Sequence, residues 1–296
     1  MIRAPLTDAI VEVFDTLPTQ LQGAARYLID NPEDVALLSM REQARRAGLQ
    51  PWTMTRLAKR LGFEGYEPLR SLYANAMRQG ELGFASKAGA QLARQEQVGE
   101  RALAAEMIVS LSRQVAGLGE PQMLDTLAEA AERLYAARRI FCLGLRSSHP
   151  VAAHFAYVMS FLGEKAVMLD AASGAGTDAI RLATTEDVLL VVGVAPYTRL
   201  TVDLARRAAA NGVPLIAITD SVVSPLAPLA ALSVLVATDS PSFFHTMSPA
   251  FIVGEILAAL IAGKGRQKSL AAIRRTEDQL SQLDIHILPP RGRGKA

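Results

Sequence analysis

The chain has 296 residues, of which 50% are apolar and 20% charged, and its formal net charge is +2. This length allows two domains with separate hydrophobic cores, and the composition is that of an ordinary globular protein. The apolar runs 188–195 and 250–263 are too short or too interrupted for a membrane span, and acids follow the N-terminus too soon for a signal peptide. We therefore expect a cytoplasmic protein with no membrane partner. The lone Cys142 excludes an intrachain disulfide, and no residue spacing predicts a metal or cofactor site.

Signals for a helix end and a helix start lie close together within residues 39–66. Ser39 with Glu42 three positions later is the pattern of a capping box. Gly48 is suited to end that helix in a left-handed conformation, and Pro51 is suited to the first turn of the next. The segment therefore predicts two short helices around a tight turn. Amphipathic helices predicted over 6–16, 21–30 and 65–77 complete a small helical bundle.

The second of these helices has two different faces. At about 100° per residue, Met54, Leu57, Ala58 and Leu61 form an apolar face, and the opposite face carries an aromatic ring, a hydroxyl and cations. Residues 39–61 contain six basic residues and one acid. A solvated charged face is the plainer interpretation, but this charge on a capped turn favours contact with the major groove of DNA. The residues expected to contact DNA are Arg46, Gln50, Trp52, Thr53, Thr55, Arg56, Lys59 and Arg60.

The second half of the chain alternates apolar runs with amphipathic helices. After a segment rich in Gly, Ala and Gln, which we assign as a partly helical linker, two helices are predicted over 101–118 and 121–137. Continuous apolar strands separated by helices predict a doubly wound parallel sheet with both faces covered. The predicted strands are 140–143, 166–169, 188–194, 213–218 and 232–236.

Ligands in such folds bind beyond the carboxyl ends of the strands. In the loop after the first strand, Ser147 or Ser148 can cap the next helix while free N–H groups accept an anion, and Arg146 adds charge. Hydroxyl residues at such ends cap helices more often than they bind ligands. Capping predicts no convergence of these residues, whereas binding predicts that they surround one pocket.

The motif residues resemble two modules of the RpiR-type transcriptional regulators. Residues 39–48, 52–57 and the LGFEGY run at 61–66 look like the helix-turn-helix of that family, and residues 124–260 resemble its SIS (sugar isomerase) domain. Within the second module, the first Gly-Ser loop and the Ser-Pro-Leu-Ala turn are the matching motifs. They lie at 144–148 and 224–227.

The chain departs from the family pattern at two places. Gln50 and Trp52 stand where small residues are usual, which affects any operator inferred from relatives. The second loop, 193–198, lacks two hydroxyl residues of the pattern Ser-x-Ser-Gly-x-Thr. Either Tyr197 and Arg199 recognise a different ligand, or the phosphate site is weakened or lost. Arg199 and Arg146 near helix starts favour a different ligand.

The resemblance implies an all-α helix-turn-helix domain at 1–78, a linker and connecting helix at 79–118, an α/β SIS-type domain at 119–288 and a basic tail at 289–296. It implies a regulator rather than an enzyme. This regulator would bind a double-stranded DNA operator as a homodimer or homotetramer. A phosphosugar or related anionic metabolite would control its DNA affinity. The residues expected to bind this effector are Arg146, Ser147, Ser148, His149, Tyr197, Thr198, Arg199 and Ser242.

Two other functions fit parts of the sequence. A phosphosugar isomerase would need a base beside the substrate carbon, for which His149, His154, His245 and Asp239 are candidates. The strand-end loops contain no Glu, which makes this alternative a minor one. A sensor whose basic helix binds an acidic protein is the third interpretation.

Overall fold

The computed structural model describes residues 6–78, 84–170 and 175–286. The first of these ranges folds into a helical bundle around a buried core. The predicted first helix is shorter than expected, because it ends at Val13 and continues as the 3-10 turn Phe14–Thr16. The helices are α1 (Thr7–Val13), α2 (Thr19–Asp30), α3 (Pro32–Leu37), α4 (Met40–Arg46), α5 (Pro51–Arg60) and α6 (Tyr66–Arg78).

Helices α4 and α5 are joined by the tight turn that the sequence predicts. Ser39 caps α4, since its Oγ accepts a hydrogen bond of 3.3 Å from the backbone N–H of Glu42. Gly48 has a φ of 69°, and the next N–H, of Leu49, donates to the carbonyl of Ala44 at 2.8 Å. This bond across the helix end is the Schellman arrangement, which needs a left-handed residue after the helix. Pro51 is then the first residue of α5.

A buried amide ties α4 to the rest of the bundle. Gln43 is fully buried, and its Nε2 donates to the carbonyls of Val35 at 3.2 Å and Leu38 at 2.8 Å. Its Oε1 accepts a hydrogen bond from the hydroxyl of Tyr66. Tyr66 is the last residue of the LGFEGY run, so this motif serves to satisfy a polar group inside the core.

The remaining helices and strands build the α/β domain. Helix α7 lies within the segment assigned as a linker, and residues 79–83 of that segment lie outside the described residues. Helix α12 is interrupted at Arg266, whose φ of 46° and ψ of −124° are not helical. The elements are α7 (Phe84–Val98), α8 (Glu100–Gly117), α9 (Pro121–Ala136), β1 (Ile140–Gly144), α10 (His149–Ser160), β2 (Ala166–Leu169), β3 (Val188–Val192), α11 (Arg199–Ala210), β4 (Leu215–Thr219), β5 (Leu232–Leu235) and α12 (Ser248–Gln282).

The strands form a parallel sheet in the order β2-β1-β3-β4-β5, which confirms the predicted fold class. Each strand agrees with its predicted range to within two residues. Helices α9, α10 and α12 cover one face, where Phe155 and Leu257 pack with Cys142. Helix α11 covers the other face, where Leu204 packs with Phe141. Strand β1 lies between β2 and β3, so the order of connection reverses there.

Helix α12 is long and apolar enough to cross a membrane by length and composition alone. Its first half instead packs inside the α/β domain, where Val253, Leu257 and Ile261 are buried. The apolar surface of these residues is therefore accounted for by core packing.

The bundle allows a matched test of burial on helix α6. Leu69 is fully buried, whereas Leu72 on the same helix is 40% exposed. We expect Leu69→Ala to lower the free energy of unfolding by about 2–5 kcal/mol, because it leaves a cavity. Leu72→Ala should lower it by less than about 1 kcal/mol. Urea unfolding of the two variants measures both effects, and equal losses would contradict the packing of α6.

Candidate functional site

The outer face of α5 is the exposed surface that the sequence predicts. Met54, Leu57 and Ala58 are buried in the bundle. On the opposite side Trp52 is 49% exposed. The other residues of the predicted contact set that are exposed are Arg46, Gln50, Arg56, Lys59 and Arg60.

Trp52 and Arg56 act as a pair on this face. They are four residues apart, and the guanidinium carbon of Arg56 lies 5.2 Å from the centroid of the indole ring. This is a cation–π contact between neighbours on one helix face. It holds a planar cation and an aromatic ring side by side on the surface, which is a suitable arrangement for base edges and phosphates.

The cations of α4 and α5 differ in their partners. Arg45 and Arg46 both bond to Glu42, at 2.6 and 3.2 Å, and their hydrogen bonds lower the pKa of Glu42 to about 2. Arg46 also contacts Asp34 at 2.9 Å. The charge of α4 is therefore largely compensated within the protein. Among the described residues no ion pair engages the α5 cations Arg56, Lys59 and Arg60, which leaves their charge available to a partner.

Two hydroxyl residues of the predicted contact set are placed differently from the rest. Thr53 is 1% exposed and lies on the packing side of α5, so its side chain cannot belong to the contact surface. Thr55 is half-buried, and its Oγ1 lies 3.3 Å from the sulfur of Met40. We remove Thr53 from the set on this ground, because the helix turns it inward.

A second candidate site lies at the carboxyl ends of β1 and β3, where the sheet order reverses. The chain turns sharply after β1, and a Cβ on Gly144 would lie 2.5 Å from the carbonyl oxygen of Ser148. Arg146 in this turn has a φ of 56°. Glycine is therefore required for this close approach. The turn places Ser147 beside the space between the loops after β1 and β3, where ligands of such folds bind and which we call the crevice.

The hydroxyls beside helices α10 and α11 are not used as caps. Ser148 and Thr198 occupy the N-cap positions of α10 and α11, yet in the described structure neither side chain accepts a capping hydrogen bond. The first turn of α11 points free N–H groups toward the edge of the sheet where ligands of such folds bind. At α10 the N–H groups of Ser148 and His149 are not free, because they donate to the carbonyls of Leu145 and Arg146. The capping interpretation thus does not account for these two residues.

The loop after β5 reaches the loop after β1. His245 Nε2 lies 2.9 Å from Ser147 Oγ, and the other ring nitrogen, Nδ1, is buried with no hydrogen-bond partner among the described residues. Burial, and then the charge of Lys87, lower the pKa of His245. The imidazole is thus held uncharged over a wider pH range. Ser242 lies in the same loop, where its Oγ accepts the N–H of Phe244 at 3.4 Å.

The altered second loop is filled by a carboxylate of the protein itself. The hydroxyl of Tyr197 donates to Asp220 Oδ1 at 2.6 Å, and the backbone N–H of Ala195 donates to Asp220 Oδ2 at 3.2 Å. Burial, together with Asp220, raises the pKa of Tyr197 well above its ordinary value. Asp220 thus engages the second loop at two points, and the hydroxyl of Tyr197 reaches a ligand only if its bond to Asp220 opens.

Sequence reasoning did not select Asp220 or Lys87 as site residues. Asp220 directly follows β4, so its place at a strand end was a usable signal, although a lone carboxylate there suggests no role. Lys87 lies in the linker helix, and nothing in the local sequence connects it to the sheet. The predicted contacts of Arg146, Ser147, Ser148, His149, Tyr197, Thr198, Arg199 and Ser242 with an effector stay predictions.

The comparisons with known proteins agree with this architecture. The SIS domain family matches residues 133–260. NanR from Vibrio vulnificus, solved in complex with ManNAc-6P, is 21% identical, with 94% of this chain and 98% of that chain covered and a TM-score of 0.54. The sugar isomerase domain of an RpiR transcription factor from Sphaerobacter thermophilus is 25% identical, with 60% of this chain and 98% of that chain covered and a TM-score of 0.54. No curated protein gives a significant sequence match. These matches confirm the SIS domain predicted from the sequence.

The tightness of the turn after β1 can be tested by a substitution at Gly144, with a substitution at Gly117, outside the turn, as the control. Gly144→Ala should lower the stability of the α/β domain by about 1–3 kcal/mol, because the added methyl meets a backbone carbonyl. Gly117 ends α8 in open space, so Gly117→Ala should leave stability unchanged or raise it by up to about 1 kcal/mol. Thermal unfolding followed by circular dichroism measures both. A Gly144→Ala protein as stable as the wild type would show that the turn is not as tight as described.

Proposed function

Because the chain carries a SIS domain behind a helical domain, the architecture of RpiR-type regulators, we propose that it is a DNA-binding transcriptional regulator. Its DNA affinity is controlled by a phosphosugar or related anionic metabolite bound in the SIS domain. The observation that carries this proposal is the exposed face of α5, with cations that have no counter-ion in the described part of the protein. In this proposed role the protein acts in the cytoplasm and catalyses no reaction.

The α5 face supports DNA as the partner of the helical domain. Arg56 stacked on Trp52 can reach a base edge, while Lys59 and Arg60 in the last turn are suited to phosphates. Helix-turn-helix proteins usually bind as dimers on half-sites about one helical turn apart. A homodimer or homotetramer is the assembly that follows.

The crevice beside β1 and β3 supports an anionic effector. Arg146 and Ser147 lie in the turn after β1, where they supply a cation and a hydroxyl. Asp220 occupies the second loop, and its negative charge disfavours a phosphate there. The anionic group of the effector therefore lies at the first loop. NanR was solved with a phosphorylated amino sugar, which is the class of ligand we propose.

Contacts between the domains supply a route for control. Val223, which follows Asp220 by three residues, is fully buried in the core cluster of the helical domain. Val222 packs beside it. The loop after β4 thus carries the carboxylate that holds Tyr197 and, a few residues later, the contact with the helical domain. A ligand that shifts this loop therefore changes how the loop packs against the helices that we propose to bind DNA.

A phosphosugar isomerase is the second candidate function. Its support is His245, whose uncharged imidazole beside Ser147 has the properties of a general base. His154 is a weaker candidate, because it stacks on Phe251 at 4.4 Å and lies 3.6 Å from Glu255. Turnover of a phosphosugar by the purified protein would favour this function, and its loss in His245→Ala would identify the base.

DNA recognition is tested by fluorescence anisotropy with genomic and random fragments. Arg56→Ala should cost about 1–3 kcal/mol of binding to the preferred site and reduce discrimination. Lys59→Ala should weaken binding to all sequences and lower the salt slope by about 1. Arg275→Ala, an exposed arginine of α12, is the matched control and should change neither. If no genomic fragment is bound more tightly than random DNA at moderate salt, DNA recognition is refuted.

Effector binding is tested by thermal shift against phosphorylated and acidic sugars, including ManNAc-6P. The compound that stabilises the wild type should stabilise Ser147→Ala much less, since the hydroxyl beside the α10 N-terminus is lost. Ser160→Ala, at the exposed far end of α10, is the control and should respond as the wild type does. An equal shift in Ser147→Ala would place the effector elsewhere.

A further inference from the structure

One face of helix α7 lies on the loop between β5 and α12. Phe84, Lys87 and Gln91 are spaced three and four residues apart, which places them on one side of the helix. The ring of Phe84 stacks on Phe244 with centroids 5.0 Å apart. Gln91 Oε1 accepts a hydrogen bond of 2.8 Å from the backbone N–H of Phe243. Both ends of this face are therefore attached to the loop.

The same loop is attached to the crevice at its other side. The ring of Phe244 stacks on His245 at 4.2 Å, and His245 contacts Ser147 at 2.9 Å. Helix α8 holds the start of the loop, because Gln114 Nε2 donates to the carbonyl of Asp239 at 2.6 Å. A continuous set of contacts thus runs from α7 to the turn after β1.

Lys87 lies on the same face of α7, between the two attachment points. It is close enough to His245 for its charge to lower the pKa of that imidazole. The lysine is half-buried, and in the residues that the structure describes no carboxylate pairs with it. Its charge, together with that of Arg146 in the turn that holds Ser147, favours an anionic ligand.

We propose that Lys87 binds the anionic group of the effector, so that helix α7 forms the wall of the site that faces Ser147. This inference rests on the proposed function, since it assigns one further residue to the same site. Helix α6 ends at Arg78 and α7 begins at Phe84, so the lysine stands on the segment that connects the site to the helical domain. The ligand then bridges the SIS domain and the linker helix, and its charge acts on the connection to the DNA-binding helices.

The test measures affinity of the full chain for inorganic phosphate and for glucose 6-phosphate by isothermal titration calorimetry. Lys87→Gln should weaken binding by about tenfold or more, because a charge-assisted hydrogen bond is lost. Lys87→Arg keeps the charge and should retain most of the affinity. Lys268→Gln, an exposed lysine on α12, is the control and should bind as the wild type does.

The outcomes separate this inference from the proposed function. If Lys87→Gln binds both probes as tightly as the wild type while Ser147→Ala does not, the lysine is no ligand and the effector site stands. If Lys87→Gln only lowers the melting temperature without a probe, with affinity unchanged, the residue is structural and the inference fails. If neither probe binds the wild type, both the inference and an anionic effector at this crevice are overturned.

Discussion

A parallel sheet is covered on both faces, because the connections between its strands cross over those faces. In this chain helices α9, α10 and α12 cover one face and α11 covers the other, which leaves the carboxyl ends of the strands for a ligand. The reversal of order around β1 then separates the first turns of α10 and α11 into a crevice. The position of the candidate effector site, and the need for Gly144 beside Ser148, both follow from this covering.

The loops around that crevice are connected in two groups. His245 connects the loop after β5 to Ser147, and Asp220 connects the loop after β4 to Tyr197. The first group continues to helix α7 and the second to the core of the helical domain. Each group therefore joins the strand ends to one part of the N-terminal half, so the candidate site is connected both to helix α7 and to the helical domain.

The sequence predicted those parts of the fold that local residue patterns determine. Continuous apolar runs located the strands, and the cap of Ser39 and the left-handed Gly48 located the turn between α4 and α5. Thr53 was misplaced because helical periodicity does not fix the border between faces to better than one residue. The contact of Gln91 with the loop after β5 joins residues far apart in the chain, so no local signal existed. Asp220 stood at a strand end, which was a usable signal, but its contact with the second loop also joins distant residues and is not indicated by the local sequence. The domain limits and the assigned contacts with DNA and effector stay predictions.

The burial of Val223 in the helical core bears on how the two domains can change during evolution. A helical domain that closes its core with a side chain from the α/β domain is not inherited independently of that domain. Recombination that replaced the α/β domain would have to preserve an apolar residue at this loop, or the helical core would be left with a gap. The contact is therefore expected to change more slowly than either the exposed face of α5 or the loops after β1 and β3.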